Sequence, residues 1–279
     1  MSDALRIFIG SGEASLLERK VLIWSLRQHA SQPLDIRVFN GTHNALEVDG
    51  QAPQPLNFPL SLKYRNRATE FSLYRFLIPE LCGFQGKSLW LDSDIVCLDD
   101  IAKLFAQPMS EHAMLARADA YPGHGARQWG MSVVMIDCAR CRFDLPRYYA
   151  DMDAGAYTYD DFSRMSPAFL ARHPFALGAL DRRWNEFDLA RPDTALLHYT
   201  ELTTQPWKFP GHPCGDIWYR YYRSARQAGF VTDHDVQLTR LRGFARQDVE
   251  LGNSAWGSLW RQFRRAVRLA TGRYPWHHQ

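Results

Sequence analysis

The pattern of apolar and polar positions near the N-terminus predicts the start of a βαβ unit. Residues 5–9 are mostly apolar, as in a short buried strand, and the sequence GSG at 10–12 then ends the run. Residues 16–29 carry apolar side chains at helical spacing, and residues 34–39 alternate apolar with polar side chains as a second strand does. This order of elements favours an α/β fold. Glycine lets a ligand approach the backbone, so the GSG turn is a candidate nucleotide contact. A plain turn is the alternative.

A longer apolar segment, residues 69–81, is typical of a helix with more than one buried side, and Thr69 is its expected N-cap. The segment contains Arg75, and an arginine among apolar residues is costly unless it has a partner. Two interpretations of Arg75 stay open here. It forms a structural salt bridge, or it contacts an anionic ligand or an active-site carboxylate.

The next stretch, KSLWLDSDIVCLDD at 87–100, predicts a strand that ends in two closely spaced acids, Asp92 and Asp94. Such a strand end can direct two carboxylates to one place, and carboxylates suit Mg²⁺ or Mn²⁺ better than zinc. In open α/β sheets, ligands lie beyond the carboxyl ends of the strands. We therefore expect a divalent cation that holds a diphosphate. A solvated turn is the alternative, and the apolar residues on both sides favour the metal site.

Two later features have both a structural and a functional interpretation. Residues 195–200 predict a buried strand that contains His198, although a lone histidine at a strand end is more often a hydrogen-bonded structural residue than a ligand. Asp160 and Asp161 lie between aromatic residues. Carboxylates beside aromatic rings are common in sugar-binding sites, and the edge of a hydrophobic core is an equal alternative. Residues 41–67 are polar and contain prolines, which predicts a long connection.

The composition places the chain among folded globular proteins. Its 279 residues are 46% hydrophobic and 13% aromatic. The sequence has no apolar run of about 18 residues and no basic-then-apolar N-terminus, so we expect neither a transmembrane helix nor a signal peptide. The five cysteines show no paired framework, which predicts reduced thiols in a cytosol, and the CxxC at 138–141 is interpreted as structural.

The basic charge is concentrated at the C-terminal end. Residues 252–279 contain five arginines and no acid, so of the net charge of +3 this segment carries +5 and residues 1–251 carry −2. A body so close to neutral does not resemble a nucleic-acid-binding domain. We predict one domain over 1–251 and a basic amphipathic segment over 252–279. Its aromatic stripe and arginines favour an anionic membrane surface, with packing on the domain as the alternative.

Three stretches in this order resemble glycosyltransferase family 8: TEFSLYRFLIPELCGFQGKSLWLDSDIVCLDDIAKLF, WGMSVVMIDC and LLHYTELTTQPW. The similarity covers roughly residues 5–210. It implies a bacterial member with a single GT-A-type α/β domain, in which a mostly parallel central sheet is flanked by helices. It also implies Mn²⁺ or Mg²⁺, a UDP-sugar donor and retention of the anomeric configuration.

The resemblance also implies roles for individual residues. It assigns Asp92, Asp94 and His198 as metal ligands. It gives catalytic positions near the donor sugar to Arg75, Asp160 and Asp161. The residues that it places against the UDP-sugar are Ile9, Gly10, Ser11, Arg75, Asp92, Ser93 and Lys208.

Three departures from the family pattern affect this assignment. An acidic residue that usually follows the first strand is replaced by Ser11 and Gly12, and an Asn-Ser/Ala-Gly sequence is replaced by GMS at 130–132. Gln205 stands where the family has the lysine of Lys-Pro-Trp, and Lys208 is the suggested source of the missing charge.

The sequence therefore predicts a hexosyltransferase that moves a sugar from a UDP-sugar to a glycan or lipid-linked acceptor, in cell-surface polysaccharide or lipopolysaccharide synthesis. We expect it in the cytoplasm, peripherally on the inner face of the membrane. One alternative is a nucleotidyltransferase acting on a sugar phosphate, although GSGEASLLERK at 10–20 has only distant bases after its glycines. The other is a non-catalytic member of the fold that binds a nucleotide sugar or glycan.

Overall fold

The computed structural model describes residues 4–56, 63–64, 69–118, 120 and 129–253, together with 263, 266–267 and 270. The described strands are β1 (Leu5–Ser11), β2 (Leu34–Asn40), β3 (Ala45–Val48), β4 (Gln54–Pro55), β5 (Lys87–Asp92), β6 (Ile95–Cys97), β7 (Met114–Arg117), β8 (Gly130–Asp137), β9 (Leu177–Leu180), β10 (Glu186–Phe187) and β11 (Leu196–His198). The described α-helices are α1 (Leu16–His29), α2 (Ile78–Leu81), α3 (Ala102–Phe105), α4 (Leu145–Asp153), α5 (Tyr159–Ser163), α6 (Pro167–Arg172), α7 (Gly215–Gln227) and α8 (Asp233–Leu241). The described 3₁₀-helices are Glu13–Ser15, Ser72–Leu77, Arg182–Trp184 and Val249–Leu251.

The first of two compact units contains a large central sheet. This unit comprises the described residues up to Glu13, Ala30–Ser93 and Asp100–Asn185. Within the described residues its sheet has eight strands in the order β4-β3-β2-β1-β5-β8-β7-β9. The predicted α/β class with a central sheet is confirmed. The strand directions are mixed and not mostly parallel as the resemblance implied. Strand β1 is parallel to β2 and β5, and β7 is parallel to β9, whereas the other neighbours are antiparallel.

The core of this unit is rich in stacked aromatic rings. The ring centroid of Phe39 lies 5.6 Å from that of Phe8, 5.3 Å from that of Tyr74 and 6.0 Å from that of Trp90. All four side chains are fully buried. Such pairs add to the stabilisation that comes from burying apolar area. They fix β1, β2 and β5 against the segment that carries Tyr74.

The second unit comprises Ala14–His29, Asp94–Asp99 and the described residues from Glu186 onward. Its three-stranded sheet has the order β10-β11-β6. Helix α1 packs against α7 and α8, where Lys20 forms a salt bridge with Asp235. The core of this unit is again aromatic, and the ring centroids of Trp218 and Tyr222 lie 5.1 Å apart.

Two predicted segments differ from the structure in detail. The connection at 41–67 contains the short antiparallel strands β3 and β4, which alternation did not reveal because the second is only two residues long. The predicted helix at 69–81 is a 3₁₀-helix followed by α2, with Phe71 rather than Thr69 as the N-cap of the first. Pro79 has no N–H, so it cannot donate an α-helical hydrogen bond to the carbonyl of Arg75. That carbonyl instead accepts from the N–H of Ile78.

Strands β7 and β8 pair antiparallel, and β8 also pairs with β5. Among the described residues, none of the helices combines the length and the apolar character needed to span a membrane. Most of the basic tail, including all five of its arginines, lies outside the described residues, as does its predicted membrane contact. The predicted boundary at residue 252 stays a prediction.

Candidate active site

The strand ends predicted to bind nucleotide and metal lie side by side in the first unit. Strands β1 and β5 are parallel, and Gly10 is paired in register with Asp92. A Cβ atom on Gly10 would lie 2.4 Å from the Trp90 side chain and 2.5 Å from that of Phe71, so only glycine fits there. The register brings the backbone of Ile9, Gly10 and Ser11 to the same edge as the Asp92 carboxylate.

Asp92 is held by its neighbour on the same face of β5. Trp90 donates a hydrogen bond from Nε1 to Asp92 Oδ1 over 2.9 Å. Side chains two residues apart on a strand project from the same face, so this bond follows from the local geometry. The Arg75 guanidinium in turn lies over the Trp90 ring, 5.1 Å from its centroid. Arg75, Trp90 and Asp92 therefore form one connected row.

The charge of Arg75 is directed at backbone carbonyls. Its Nε donates to the carbonyl of Ser72 over 2.7 Å, and its Nη1 donates to the carbonyl of Met131 on β8. The residue is 8% exposed. Both contacts are to backbone carbonyls, and a contact of Arg75 with an anionic ligand stays a prediction. They show how the arginine positions β8 and Trp90, and its role in catalysis stays a prediction.

Asp94 and His198 meet in the second unit because β6 and β11 pair antiparallel. His198 is opposite Ile95 in the register, and the backbone N–H of Tyr199 donates to the carbonyl of Asp94 over 2.9 Å. The His198 Nε2 atom lies 3.0 Å from Asp94 Oδ1. The imidazole of His198 is nearly buried and its ring packs edge-on against Phe187. Backbone pairing therefore sets the relative position of the carboxylate and the imidazole.

Asp92, Asp94 and His198 form a candidate metal-binding group. Each offers one ligand atom, and these atoms all lie within 4.8 Å of one another. Two carboxylate oxygens and one imidazole nitrogen are ligands that Mn²⁺ accepts in proteins. The structure thus brings together the three residues that the resemblance assigned to a metal, with Asp94 and His198 placed by strand pairing and Asp92 by the Trp90 bond.

Gln205 braces the Asp94 carboxylate. Its Nε2 donates to Asp94 Oδ2 over 3.2 Å and to the carbonyl of Tyr199 over 3.0 Å. The side chain is 2% exposed, so these contacts are shielded from water. In the sequence Gln205 indicated only the loss of a lysine. In the structure its side chain donates to Oδ2 of Asp94, a candidate metal ligand.

Lys208 lies where its charge acts on a buried acid of the same unit. Burial raises the pKa of Glu18 to about 7, the Lys208 ammonium opposes this shift, and Asp94 adds to it. Glu18 is 4% exposed, and its Oε2 has no hydrogen-bond partner among the described residues. The charges of Lys208 and Asp94 thus both act on Glu18, with opposite effects on its pKa.

Asp160 and Asp161 occupy helix α5, where they differ in environment. Asp161 forms a capping box with Thr158, whose N–H donates to Asp161 Oδ2 over 2.9 Å. Ser166 Oγ also donates to Asp161 Oδ1 over 2.7 Å. Burial raises the pKa of Asp161, but these hydrogen bonds outweigh it and leave the pKa lowered. Asp160 is exposed. Of the two predicted catalytic acids, Asp161 thus has a structural function in its helix.

Glu70 lies against Gly12, one of the two residues that stand where the family usually has an acid. A Cβ atom on Gly12 would lie 1.7 Å from Glu70 Oε1, so the Glu70 carboxylate occupies the space that a side chain would fill. Thr42 Oγ1 donates to Glu70 Oε1 over 2.7 Å, and the N–H of Glu13 donates to Thr42 Oγ1 over 3.0 Å. Sequence reasoning missed Glu70 because only the fold brings it to Gly12.

Comparison with known families adds an independent observation. Residues 26–153 match the model of glycosyl transferase family 8. The predicted resemblance to glycosyltransferase family 8 is confirmed. This match includes Arg75, Asp92 and Asp94, whereas His198 and Gln205 lie beyond it. No curated protein gives a significant match to the chain.

Solved family 8-like structures share the fold at low sequence identity. The galactosyltransferase LgtC, in complex with donor and acceptor sugar analogs, is 14% identical with a TM-score of 0.56, and the match covers 79% of this chain and 96% of LgtC. The glycosyltransferase GlyE of Streptococcus pneumoniae TIGR4 is 14% identical with a TM-score of 0.56, covering 91% of this chain. The bifunctional glycosyltransferase WbbM in its apo form is 14% identical with a TM-score of 0.58, covering 86% of this chain. The chain spans 66% of GlyE and 52% of WbbM.

The family match and the shared GT-A fold support a glycosyltransferase. Family 8 enzymes of this type depend on nucleotide sugars and usually use a metal. The Asp-Asp-His group is consistent with that requirement.

Proposed function

We propose that this protein is a metal-dependent, retaining hexosyltransferase that moves a sugar from a UDP-sugar to a glycan or lipid-linked acceptor. The observation that carries the proposal is the grouping of Asp92, Asp94 and His198, whose ligand atoms lie within 4.8 Å of one another. Paired carboxylates with an imidazole are a donor set for a divalent cation, and Mn²⁺ accepts imidazole more readily than Mg²⁺ does. The residues present therefore fit the cation that the family uses.

When bound, the cation supplies Lewis-acid stabilisation of the charge that develops on the departing diphosphate. The protein's contribution is to hold its ligands ready. Trp90 fixes Asp92 through Nε1, and Gln205 fixes Asp94 through Nε2. Hydrogen-bonded partners of this kind orient ligands and raise the affinity for the metal.

The edge formed by β1 and β5 is the proposed site of UDP. Because Gly10 lacks a side chain and is paired with Asp92, a nucleotide can approach the backbone of Ile9, Gly10 and Ser11 beside the carboxylate. Ser93, which is buried, connects Asp92 to Asp94. Glu70, lying against Gly12, adds a hydrogen-bond acceptor at this edge.

The positive charge for the diphosphate is proposed to come from Lys208. Its ammonium already influences Glu18, which Asp94 also influences. An anionic diphosphate would give Lys208 a further partner of opposite charge. Arg75 contributes through Trp90 rather than by direct contact in this proposal.

The transfer itself exchanges one bond for another at the anomeric carbon. The bond from this carbon to the UDP oxygen breaks, and a bond to the acceptor oxygen forms on the same face of the sugar. The acceptor oxygen attacks the anomeric carbon directly, so the reaction needs no carboxylate nucleophile. The acceptor hydroxyl gives its proton to the departing phosphate oxygen, so the reaction needs no separate base. Asp160, which is exposed on α5, is the proposed contact to the donor sugar.

A panel of UDP-sugars incubated with the protein and Mn²⁺, followed by mass spectrometry of UDP and of hydrolysed sugar, tests the proposal. We expect Mn²⁺-dependent release of UDP from one hexose donor, and loss of this release in the Asp92→Asn, Asp94→Asn double variant with the fold retained by circular dichroism. The exposed Asp193 offers a matched control, and Asp193→Asn should retain the activity.

Full activity in the double variant would refute the metal site. UDP-sugar binding without turnover of any donor or acceptor would instead indicate a non-catalytic member of the fold. Formation of a nucleotide sugar from a sugar phosphate would indicate a nucleotidyltransferase.

Attachment to an anionic membrane is a separate proposal that rests on the sequence of the tail. Five arginines without an acid in residues 252–279 would attract such a surface. Binding to anionic liposomes should weaken when residues 254–279 are deleted, whereas turnover of a soluble acceptor should persist. Unchanged liposome binding would refute the membrane contact. Placement on the inner face of the membrane, and a role in surface polysaccharide synthesis, stay predictions.

A further inference from the structure

Asp188 has a left-handed backbone conformation beside the candidate metal ligand His198. Its φ angle is 54°, a value that is uncommon outside glycine, although aspartate and asparagine adopt it more readily than most residues. Residues in such conformations persist where the surrounding contacts hold them, and they cluster at functional sites. Asp188 directly follows β10, in which Phe187 is paired in register with His198. The left-handed turn therefore lies next to the histidine of the candidate metal group.

Asp188 holds the segment from His198 to Glu201 through its backbone and its side chain together. Its N–H donates to the carbonyl of His198 over 2.9 Å. Its Oδ2 accepts a hydrogen bond from Thr200 Oγ1, and its Oδ1 accepts one from the N–H of Glu201 over 3.2 Å. The chain on which His198 lies is thus attached to Asp188 both at the histidine and directly after it.

His212 is a further donor to the Asp188 carboxylate. Its side chain is fully buried, and its Nδ1 accepts from the N–H of Cys214 over 3.0 Å. Since Nδ1 is an acceptor, the proton of the neutral imidazole lies on Nε2, which donates to Asp188 Oδ1 over 3.2 Å. The Tyr199 ring packs edge-on against the His212 ring, with the centroids 4.9 Å apart. His212 is therefore held in one orientation and one tautomer.

The Asp188 carboxylate is an ionised acceptor among neutral donors. Burial raises its pKa, but the hydrogen bonds from His212, Thr200 and the N–H of Glu201 outweigh burial and leave the pKa lowered. Hydrogen bonds to a charged acceptor are stronger than those between neutral groups. The carboxylate therefore fixes the segment after His198 more firmly than a neutral side chain would.

The position of the His198 backbone decides where its imidazole lies. The ring packs edge-on against Phe187, with the centroids 5.5 Å apart, and the side chain is only 7% exposed. Its Nε2 lies 3.0 Å from Asp94 Oδ1. Because the ring is enclosed, a shift of the backbone at His198 would carry Nε2 away from the Asp94 carboxylate.

We propose that Asp188 is a positioning residue, which holds His198 in place for the divalent cation. This inference rests on the proposed metal site. The bonds of Trp90 and Gln205 orient the two carboxylates through their side chains, whereas Asp188 acts on the histidine through the backbone. Loss of a partner that orients a metal ligand commonly lowers the affinity for the metal by about tenfold or more.

The test compares variants of the full chain that differ at position 188. Asp188→Gly removes the carboxylate, and because glycine adopts a positive φ without strain, the turn itself is retained. Asp188→Asn keeps the shape of the side chain, and asparagine also tolerates this backbone conformation. Asp193 is exposed in the same unit, so Asp193→Gly is the matched control. Circular dichroism confirms that each variant is folded.

The probe is Mn²⁺, with and without UDP, so that the readout does not depend on turnover. Isothermal titration should show that Mn²⁺ binds about tenfold more weakly to Asp188→Gly than to the wild type and the control. Pulsed electron paramagnetic resonance of the bound Mn²⁺ detects a directly coordinated imidazole nitrogen. This nitrogen signal should be weakened in Asp188→Gly and recovered in Asp188→Asn, with His198→Ala as the reference for its complete loss.

The outcomes separate this inference from the metal site on which it rests. Unchanged Mn²⁺ affinity and an unchanged nitrogen signal in Asp188→Gly would overturn the inference and leave the metal site standing. Equally weak binding by Asp188→Asn and Asp188→Gly would also overturn it, because the charge rather than the position would then be responsible. A wild type that binds no Mn²⁺ under either condition, or binds it without an imidazole nitrogen, would refute the metal site and this inference together.

Discussion

Gln205 donates a hydrogen bond from Nε2 to Asp94 Oδ2 over 3.2 Å, although the two residues are 111 positions apart in the sequence. The same Nε2 is bonded to the carbonyl of Tyr199, the residue that follows His198. One side chain thus connects the Asp94 carboxylate to the strand that carries the imidazole. A lysine at position 205 would place a charge here. The glutamine provides a neutral and directional contact.

Replacing Gln205 with alanine should weaken Mn²⁺ binding by about tenfold, because partners that orient metal ligands have effects of this size. Isothermal titration of Mn²⁺, with and without UDP, measures the change without relying on turnover. Gln227 is exposed on α7, and Gln227→Ala is the matched control. Equal affinities in the wild type and Gln205→Ala would show that the contact to Asp94 does not serve the metal.

Asp160 and Asp161 should respond differently to substitution. Asp161→Ala removes the capping-box bonds to Thr158 and the bond from Ser166, and should lower the free energy of unfolding by about 1 kcal/mol. Asp160→Ala should leave stability unchanged and lower donor-sugar turnover. Urea unfolding and kinetics on the two purified variants separate these effects. The assignment of Asp160 fails if Asp160→Ala retains full turnover.

Arg75 should prove important for stability as well as for activity. Arg75→Lys loses the guanidinium that reaches both Ser72 and Met131, and should cost about 2 kcal/mol of folding free energy. Urea unfolding measures this change. Arg147 is exposed on α4, so Arg147→Lys should leave the unfolding midpoint unchanged. Similar midpoints for wild type and Arg75→Lys would mean that the carbonyl contacts contribute little.

Local periodicity was sufficient to predict much of the fold. The first strand, α1 and β2 follow from the local sequence, because an apolar run, helical spacing and alternation are each visible within a few residues. The short strands β3 and β4 and the mixed strand directions did not follow from it. Strand direction depends on which segments pair, and pairing is a property of the tertiary fold.

Only part of the candidate site could likewise be predicted from the sequence. Asp92 and Asp94 were predicted from the apolar strand that precedes them, and His198 was implied only through the family resemblance. The contact of Glu70 with Gly12 and that of Gln205 with Asp94 join residues that no short motif connects. The bond from Arg75 to the carbonyl of Met131 likewise joins two segments that are distant in the sequence.

Glu18 should make stability depend on pH. Burial raises its pKa from 4.5 to about 7, so the folded state binds a proton more tightly than the unfolded state does. The stability that results is fully present below the unfolded pKa, and it is lost as the pH rises through the folded pKa. The loss across this window is about 3 kcal/mol for a fully buried group. Glu18→Gln cannot ionise and should remove this part of the pH dependence, as measured by urea unfolding at several pH values between the two pKa values and above them. The exposed Glu80 provides the control, and Glu80→Gln should follow the wild-type pH profile. A Glu18→Gln profile that loses stability as steeply as the wild type would show that another group is responsible.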